Sequence, residues 1–239
     1  MAEEHAGVVR EKKALTHDIV NLRIQLREPD HMVFRAGQII RLSSQPYGDK
    51  PSVTRTYSIG SLPSDAGFIE LNIKRAPDGV CTTWVFDHLQ EGQDVRFQGP
   101  FGKFMLSASS APAIMIAGGS GLGPIRAFAM EMREKGMVKT TWCFFGAQTH
   151  RDLYYRDDFS RFEKELPDFK FVPALSNEPA ESNWQGERGL VTDVVKRSIQ
   201  DLNGWEAYLC GPPGMIEACL KILQEKGIRD MDVYYDKFA

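Results

Sequence analysis

Two stretches of this 239-residue chain combine residue types and spacings that can do chemistry. In the first, Arg55-Thr56-Tyr57-Ser58 has a strand-like pattern, so Arg55 and Tyr57 share one face and Thr56 and Ser58 the other. Downstream, the strand pattern FIELNIKR carries Asn72, Ile73 and Lys74, and the turn Pro77-Asp78-Gly79 leads into Val80-Cys81-Thr82 at a helix start. Backbone N–H groups at such a start, with an arginine nearby, suit a pyrophosphate. Alone, the tetrapeptide reads more readily as a surface charge beside a barrel tyrosine; the ordered set favours binding. Cys81 reads as a small buried residue, not a reactive thiol.

The second stretch begins with the apolar strand Ile114-Met115-Ile116-Ala117 and turns through Gly118-Gly119-Ser120-Gly121-Leu122-Gly123-Pro124 into a helix. Glycines let a dinucleotide backbone approach closely, Pro124 suits the first helical turn, and the helix start faces phosphates. A plain tight turn is the competing reading. Two more strand ends belong on the same carboxyl edge, where open parallel sheets bind ligands: Gly146-Ala147-Gln148 and Cys210-Gly211-Pro212-Pro213-Gly214-Met215.

The elements that must hold these residues fall into two styles. Up to about residue 105, short alternating strands (VVREKKAL, VNLRIQLR, GQIIRLSS, TRTYSIGS, FIELNIKR, DVRFQGPF) predict a six-stranded antiparallel β-barrel, with TTWVFDHL as a helix capping it. After Ser107-Ala108-Ser109-Ser110, buried apolar strands alternate with amphipathic helices, including a helix over Asp152–Leu166; this predicts an α/β doubly wound parallel sheet. The expected domains are 1–108 and 109–239.

Composition narrows the function. With 29 basic and 32 acidic residues and no long single-sign run, neither a nucleic-acid stripe nor a membrane patch is implied. Four cysteines, Cys81, Cys143, Cys210 and Cys219, lack metal-ligand spacing, so no metal is expected. No apolar run is long enough to span a bilayer, and a cytoplasmic location fits best. The sequence sets no oligomeric state.

Arg55-x-Tyr57-Ser58, Lys74 closing a strand, Gly79-Val80-Cys81-Thr82, the Gly119-to-Pro124 turn and the CGPP turn, in this order, resemble the ferredoxin-NADP reductase family over nearly the whole chain. Oxygenase reductase components and the FAD/NADH portion of the sodium-pumping NADH:quinone oxidoreductase share the pieces RTYS, ALS…NWxG, CGPP and a final D-x-F. The resemblance implies an oxidoreductase that takes hydride from a nicotinamide onto FAD. Arg55 would bind the FAD pyrophosphate, Tyr57 would pack along the flavin and ribityl chain, and Ser58 would approach flavin N5. Thr56, Asn72, Ile73, Lys74, Gly79, Val80, Cys81 and Thr82 would complete the FAD site. Gly119, Ser120, Gly121, Gly123, Pro124, Gly146, Ala147, Gly211, Pro212, Pro213 and Met215 would hold the nicotinamide cofactor, with Cys210 near nicotinamide C4. Phe238 would cover the flavin as the C-terminal aromatic does in the family, or else be a last core residue of the sheet.

NADH is expected over NADPH, because the strand exit reads Leu175-Ser176-Asn177-Glu178, where NADP-using relatives tend to carry an arginine after the serine. An asparagine and an acid should repel a 2′-phosphate. Arg188 is the cation that could fold over to supply one. Relatives of this kind usually carry a ferredoxin domain, and its cysteines are not in these residues; the resemblance therefore implies a separate acceptor, a ferredoxin-type iron-sulfur protein or oxygenase component, or a longer parent chain. Two alternatives stay open: a free-flavin reductase, and a non-catalytic flavin- or NADH-sensing subunit.

Overall fold

The computed structural model describes residues 3–238, and the chain divides into two compact units between Met105 and Leu106. Ser107 belongs with the second unit, where its hydroxyl and backbone N–H bind Glu206 and Tyr208. The division thus falls three residues before the 108/109 boundary that composition suggests.

In the first unit, β1 (Glu3–Ala14), β2 (Ile19–Glu28), β3 (Ile39–Ser43), β4 (Thr54–Ser58), β5 (Phe68–Lys74) and β6 (Asp94–Phe101) form one antiparallel sheet in the order β4-β3-β6-β1-β2-β5. A bridge between Ile59 and Leu71, with the Gly60 N–H donating to the Glu70 carbonyl at 2.7 Å, joins the two edges and turns the sheet into the expected barrel. Period-two alternation sends Leu22, Ile24, Ile40, Leu42, Ile69, Leu71 and Ile73 into one core. Each such side chain contributes about 1.5–3 kcal/mol by leaving water. Helix α1 starts at Val80 and continues through a wider turn to His88; it buries Trp84 and Val85 in that core and so caps the barrel.

The second unit is a six-stranded parallel sheet: β7 (Ala113–Gly118), β8 (Thr141–Ala147), β9 (Phe169–Leu175), β10 (Glu187–Arg188), β11 (Glu206–Gly211) and β12 (Val233–Lys237) in the order β10-β9-β8-β7-β11-β12. Strands β7 and β11 are buried at every residue, as a sheet covered on both faces requires. Ile114, Ile116, Phe144 and Leu209 pack against α4 (Val191–Ser198) and α5 (Pro213–Glu225). On the opposite face, Tyr208 meets Phe128 of α2 (Leu122–Glu134) edge-on at 5.5 Å. Strand order reverses between β7 and β11, the position where such sheets bind ligands.

Two elements differ from the sequence pattern. Helix α3 runs over Arg156–Glu165 and not from Asp152, because Tyr155 adopts φ 56° and His150–Asp152 form a separate turn boxed by Thr149 and Asp152. The two-residue strand β10 pairs with Ala174 and Leu175, a contact that no local pattern announces.

Candidate functional site

Strand β4 places Arg55 opposite Leu42 and Tyr57 opposite Ile40 of β3, so the two share a face as period two requires. Arg55 is exposed and forms no ion pair among the described residues. Tyr57 is half-buried against the barrel core, and its hydroxyl donates to Cys81 Sγ at 3.4 Å, tying the strand to the start of α1. Burial pushes both the Tyr57 hydroxyl and the Cys81 thiol up, so neither ionises near neutrality; the Arg55 charge is close enough to act on both. Thr56 is exposed on the other face, and Ser58 is buried at the strand end.

The start of α1 fits a phosphate-bearing group. It has no side-chain cap, leaving the first N–H groups of the helix without one. Asp78 at φ 54° makes the turn into it, and a side chain at Gly79 would lie 2.5 Å from Thr82 Oγ1 and 2.9 Å from Ala76 Cβ. The Thr82 hydroxyl accepts from the Ala76 N–H at 3.2 Å and donates to the Gly79 carbonyl at 3.1 Å, so it shapes the loop and is not held out for a ligand. The Ile73 side chain is wholly in the core, which leaves only its backbone for any contact. Asn72 is buried and accepts from Asn21, and Lys74 pairs with Asp18 at 3.2 Å.

At the switch point, the glycine turn and the CGPP turn are pressed together. A side chain at Gly121 would come within 2.2 Å of the Cys210 carbonyl oxygen, one at Gly118 within 2.5 Å of Met215 Sδ, and one at Gly211 within 2.9 Å of the Gly118 carbonyl. Gly119 sits at φ 54° and Gly211 at φ 150°, where side chains are strained. Pro212 and Pro213 open α5, and the start of α2 has no side-chain cap, so that helix end can offer its first N–H groups to a phosphate, while Gly118, Gly121 and Gly211 let the two turns pack together. Ser120, Gly123 and Pro124 are buried at the start of α2. Cys210 is fully buried, and its thiol is pushed well up by burial and by Asp236, which makes it a neutral packing surface. Cys219 is likewise buried. The Phe238 N–H donates to the Gly211 carbonyl at 3.1 Å, bringing the terminal aromatic beside the CGPP turn; Ala239 lies outside the described residues.

At the edge of β8 and β9, a side chain at Gly146 would lie 3.1 Å from Val191 Cβ, and the Ser176 and Asn177 N–H groups donate to the Ala147 and Gln148 carbonyls at 3.0 and 2.8 Å. Glu178 does not face outward as the sequence suggests. Its side chain is 1% exposed and accepts from the His150 N–H at 2.8 Å and lies 2.9 Å from His150 Nδ1. Burial alone would raise this carboxyl, but hydrogen bonds from His150 and Ser182 outweigh it and hold it down at about 2. Arg188 is also engaged: its guanidinium donates to the Glu178, Pro179 and Trp184 carbonyls and to Ser182 Oγ at 2.9–3.2 Å. The WxG stretch is explained by packing, since a side chain at Gly186 would lie 2.3 Å from the Trp184 ring.

Two residues with no sequence signal complete the picture. The Tyr154 hydroxyl donates to the Gly119 carbonyl at 2.7 Å, holding the glycine turn from α3's approach, and the Tyr47 hydroxyl donates to the Val80 carbonyl at 3.0 Å. Both act across more than 30 residues, which no local pattern reports.

The oxidoreductase FAD-binding domain family matches residues 6–106, and the oxidoreductase NAD-binding domain family matches residues 115–221. The chain is 32% identical to the reductase component of the naphthalene 1,2-dioxygenase system of Pseudomonas putida, covering 97% of this chain and 68% of that protein. It is 33% identical to the phenol hydroxylase P5 protein of Acinetobacter pittii, over 100% of this chain and 66% of that one. It thus spans about two thirds of the length of these curated relatives. Among solved structures, the cytochrome P450 reductase GcoB of Amycolatopsis superposes with a TM-score of 0.91 at 29% identity, over 99% of this chain and 70% of that one.

Proposed function

The chain belongs to the ferredoxin reductase-like family of FAD- and NAD-binding oxidoreductases, and on that premise we propose that it oxidises NADH, moves the hydride to bound FAD and delivers single electrons to a separate iron-sulfur or oxygenase protein. The observation that carries this reading is the interlock of Gly118, Gly121 and Gly211 at the switch point, beside which the chain end returns.

When bound, FAD supplies a two-electron acceptor that can release electrons one at a time, and the nicotinamide supplies the hydride. The chain's own part is binding and orientation. We assign Arg55 and the N–H groups of Val80, Cys81 and Thr82 to the FAD pyrophosphate, with Thr82 and Tyr47 fixing that helix start. Tyr57, tied through its hydroxyl to Cys81, is assigned the face of the flavin and ribityl chain, and Ser58 the adjoining hydroxyl. Thr56, Asn72, Ile73, Lys74 and Gly79 complete the proposed FAD contacts, Ile73 by backbone alone. For the nicotinamide cofactor we assign Gly119, Ser120, Gly121, Gly123 and Pro124 to the phosphates, Gly146, Ala147, Ser176 and Asn177 to the adenosine side, and Gly211, Pro212, Pro213 and Met215 with neutral Cys210 to the nicotinamide side. Phe238 is the proposed aromatic cover of the flavin. No general base is needed, because hydride transfer depends on proximity and alignment.

NADH as the donor is supported by Arg188, whose guanidinium is taken by four oxygens of loop 178–184 and so is not offered to a 2′-phosphate. We place the boundary between the two binding domains within residues 105–109. Residence in a reducing cytoplasm is proposed from the four buried free cysteines; among the described residues no helix is long and apolar enough to cross a membrane. Steady-state assays with a ferredoxin-type acceptor and with free FMN separate the readings. Turnover with the protein acceptor and a higher kcat/KM for NADH than for NADPH support the proposal; efficient reduction of added FMN by protein that retains no FAD supports the free-flavin reductase instead.

A further inference from the structure

An acid beyond the glycine turn can read a ribose 2′-hydroxyl in dinucleotide-binding sheets, and the sequence offers one at the exit of β9. Here Glu178 occupies that place in the sequence, but its carboxylate is turned inward. It is 1% exposed and accepts the His150 backbone N–H at 2.8 Å, with the ring Nδ1 at 2.9 Å, while its own carbonyl is held by Arg188 at 2.9 Å. The groups left on the surface are different. Asn177 is exposed, its backbone fixed by the Gln148 carbonyl at 2.8 Å and its side chain without a hydrogen bond among the described residues. Ser176 is exposed beside it, with its hydroxyl 3.3 Å from the Ala147 carbonyl. On the turn after β8, His150 is 57% exposed and Arg151 is exposed, with no ion pair among the described residues.

We propose that Glu178 is a positioning residue that staples the His150 turn to the exit of β9, and that the neutral Asn177 amide is the group that meets the ribose 2′-oxygen. An amide hydrogen-bonds a hydroxyl as donor or acceptor, yet carries no charge to balance a phosphate. Discrimination against NADPH then comes from the uncharged Asn177 amide, with Arg188 locked into loop 178–184, and not from repulsion by Glu178. The carboxylate's work is geometric: two bonds to one residue fix both the β8 and β9 ends of the adenosine side.

This inference rests on the proposed NADH-dependent activity, and the test separates the two. KM and kcat are measured for NADH and NADPH with ferricyanide as acceptor, in the FAD-loaded wild type and in Glu178→Gln, His150→Ala and Asn177→Ala. Wild type without NADH-driven ferricyanide reduction sinks the underlying activity itself. With an active wild type, a positioning Glu178 makes E178Q and H150A raise KM for both cofactors by a common factor. The NADH-to-NADPH ratio then stays within about twofold and kcat is little moved. N177A narrows that ratio, because it costs NADH a contact that NADPH lacks. A rise of about tenfold or more in NADPH kcat/KM in E178Q, with N177A leaving the ratio as it was, overturns the proposal in favour of direct charge reading. If H150A fails to fold, E178Q and N177A alone decide.

Discussion

The α-carbon of Gly121 rests against the main chain of Cys210, so that a single methyl at residue 121 would lie 2.2 Å from the Cys210 carbonyl oxygen and 2.5 Å from its carbon. The glycine turn after β7 and the CGPP turn after β11 are thereby one structure, joined where strand order reverses. Because the opposing atoms are backbone, no side-chain rotation can relieve an added group.

Gly121→Ala should therefore be destabilising by about 1–3 kcal/mol, toward the upper end of overpacking costs. For a chain of this size that is a Tm loss of roughly 2–4 °C per kcal/mol. Thermal melting checks it, and KM for NADH should rise in parallel.

Arg55 is exposed, donates to the Thr54 carbonyl at 2.8 Å, is in no ion pair among the described residues, and acts electrostatically on Cys81 at an uncapped helix start. Arg55→Ala should weaken FAD retention by roughly 1.5–3 kcal/mol, the contribution of hydrogen bonds to a charged group. Arg55→Lys should recover only part of this, because a point charge cannot reproduce a planar fork. Equilibrium dialysis against FAD measures both; full retention by R55A would remove Arg55 from the site.

Tyr154 holds the Gly119 carbonyl from outside the dinucleotide turn. Tyr154→Phe should loosen that turn by about 1 kcal/mol, raising KM for NADH severalfold while kcat stays close to wild type. A loss confined to kcat would contradict a positioning role.

The Glu178 carboxyl is held at about 2 in the folded protein, below its ordinary 4.5. A depressed carboxyl contributes stability that is fully present above its unfolded value and is lost as pH falls toward the folded one. The Tm advantage of wild type over Glu178→Gln should therefore shrink as pH falls from 4.5 to about 2. Melting curves across that range decide the sign.

Much of the fold was legible because it follows local rules. The alternation in β1 to β6 and the unbroken apolar runs of β7 and β11 report burial on one face and on two. Gly79, Gly118 and Gly121 announce close approaches, although the sequence does not say that the approaching atoms at 118 and 121 come from the CGPP turn. What the sequence hides is the destination of long side chains. Thr82 turns its hydroxyl back on Gly79, Glu178 folds onto His150, and Arg188 gathers carbonyls of its own loop. Each choice is made by partners 3 to 28 residues away. The start of α3 moved for a related reason: Tyr155 takes a left-handed conformation that periodicity does not encode.

The most direct test of NADH-driven flavin reduction is the visible absorption spectrum of the purified protein after gel filtration, before and after NADH is added without oxygen. FAD retained as proposed makes the protein yellow, with a flavin band that bleaches with NADH and returns when an electron acceptor is supplied. A colourless protein, or a yellow one that NADH does not bleach, would contradict the proposal.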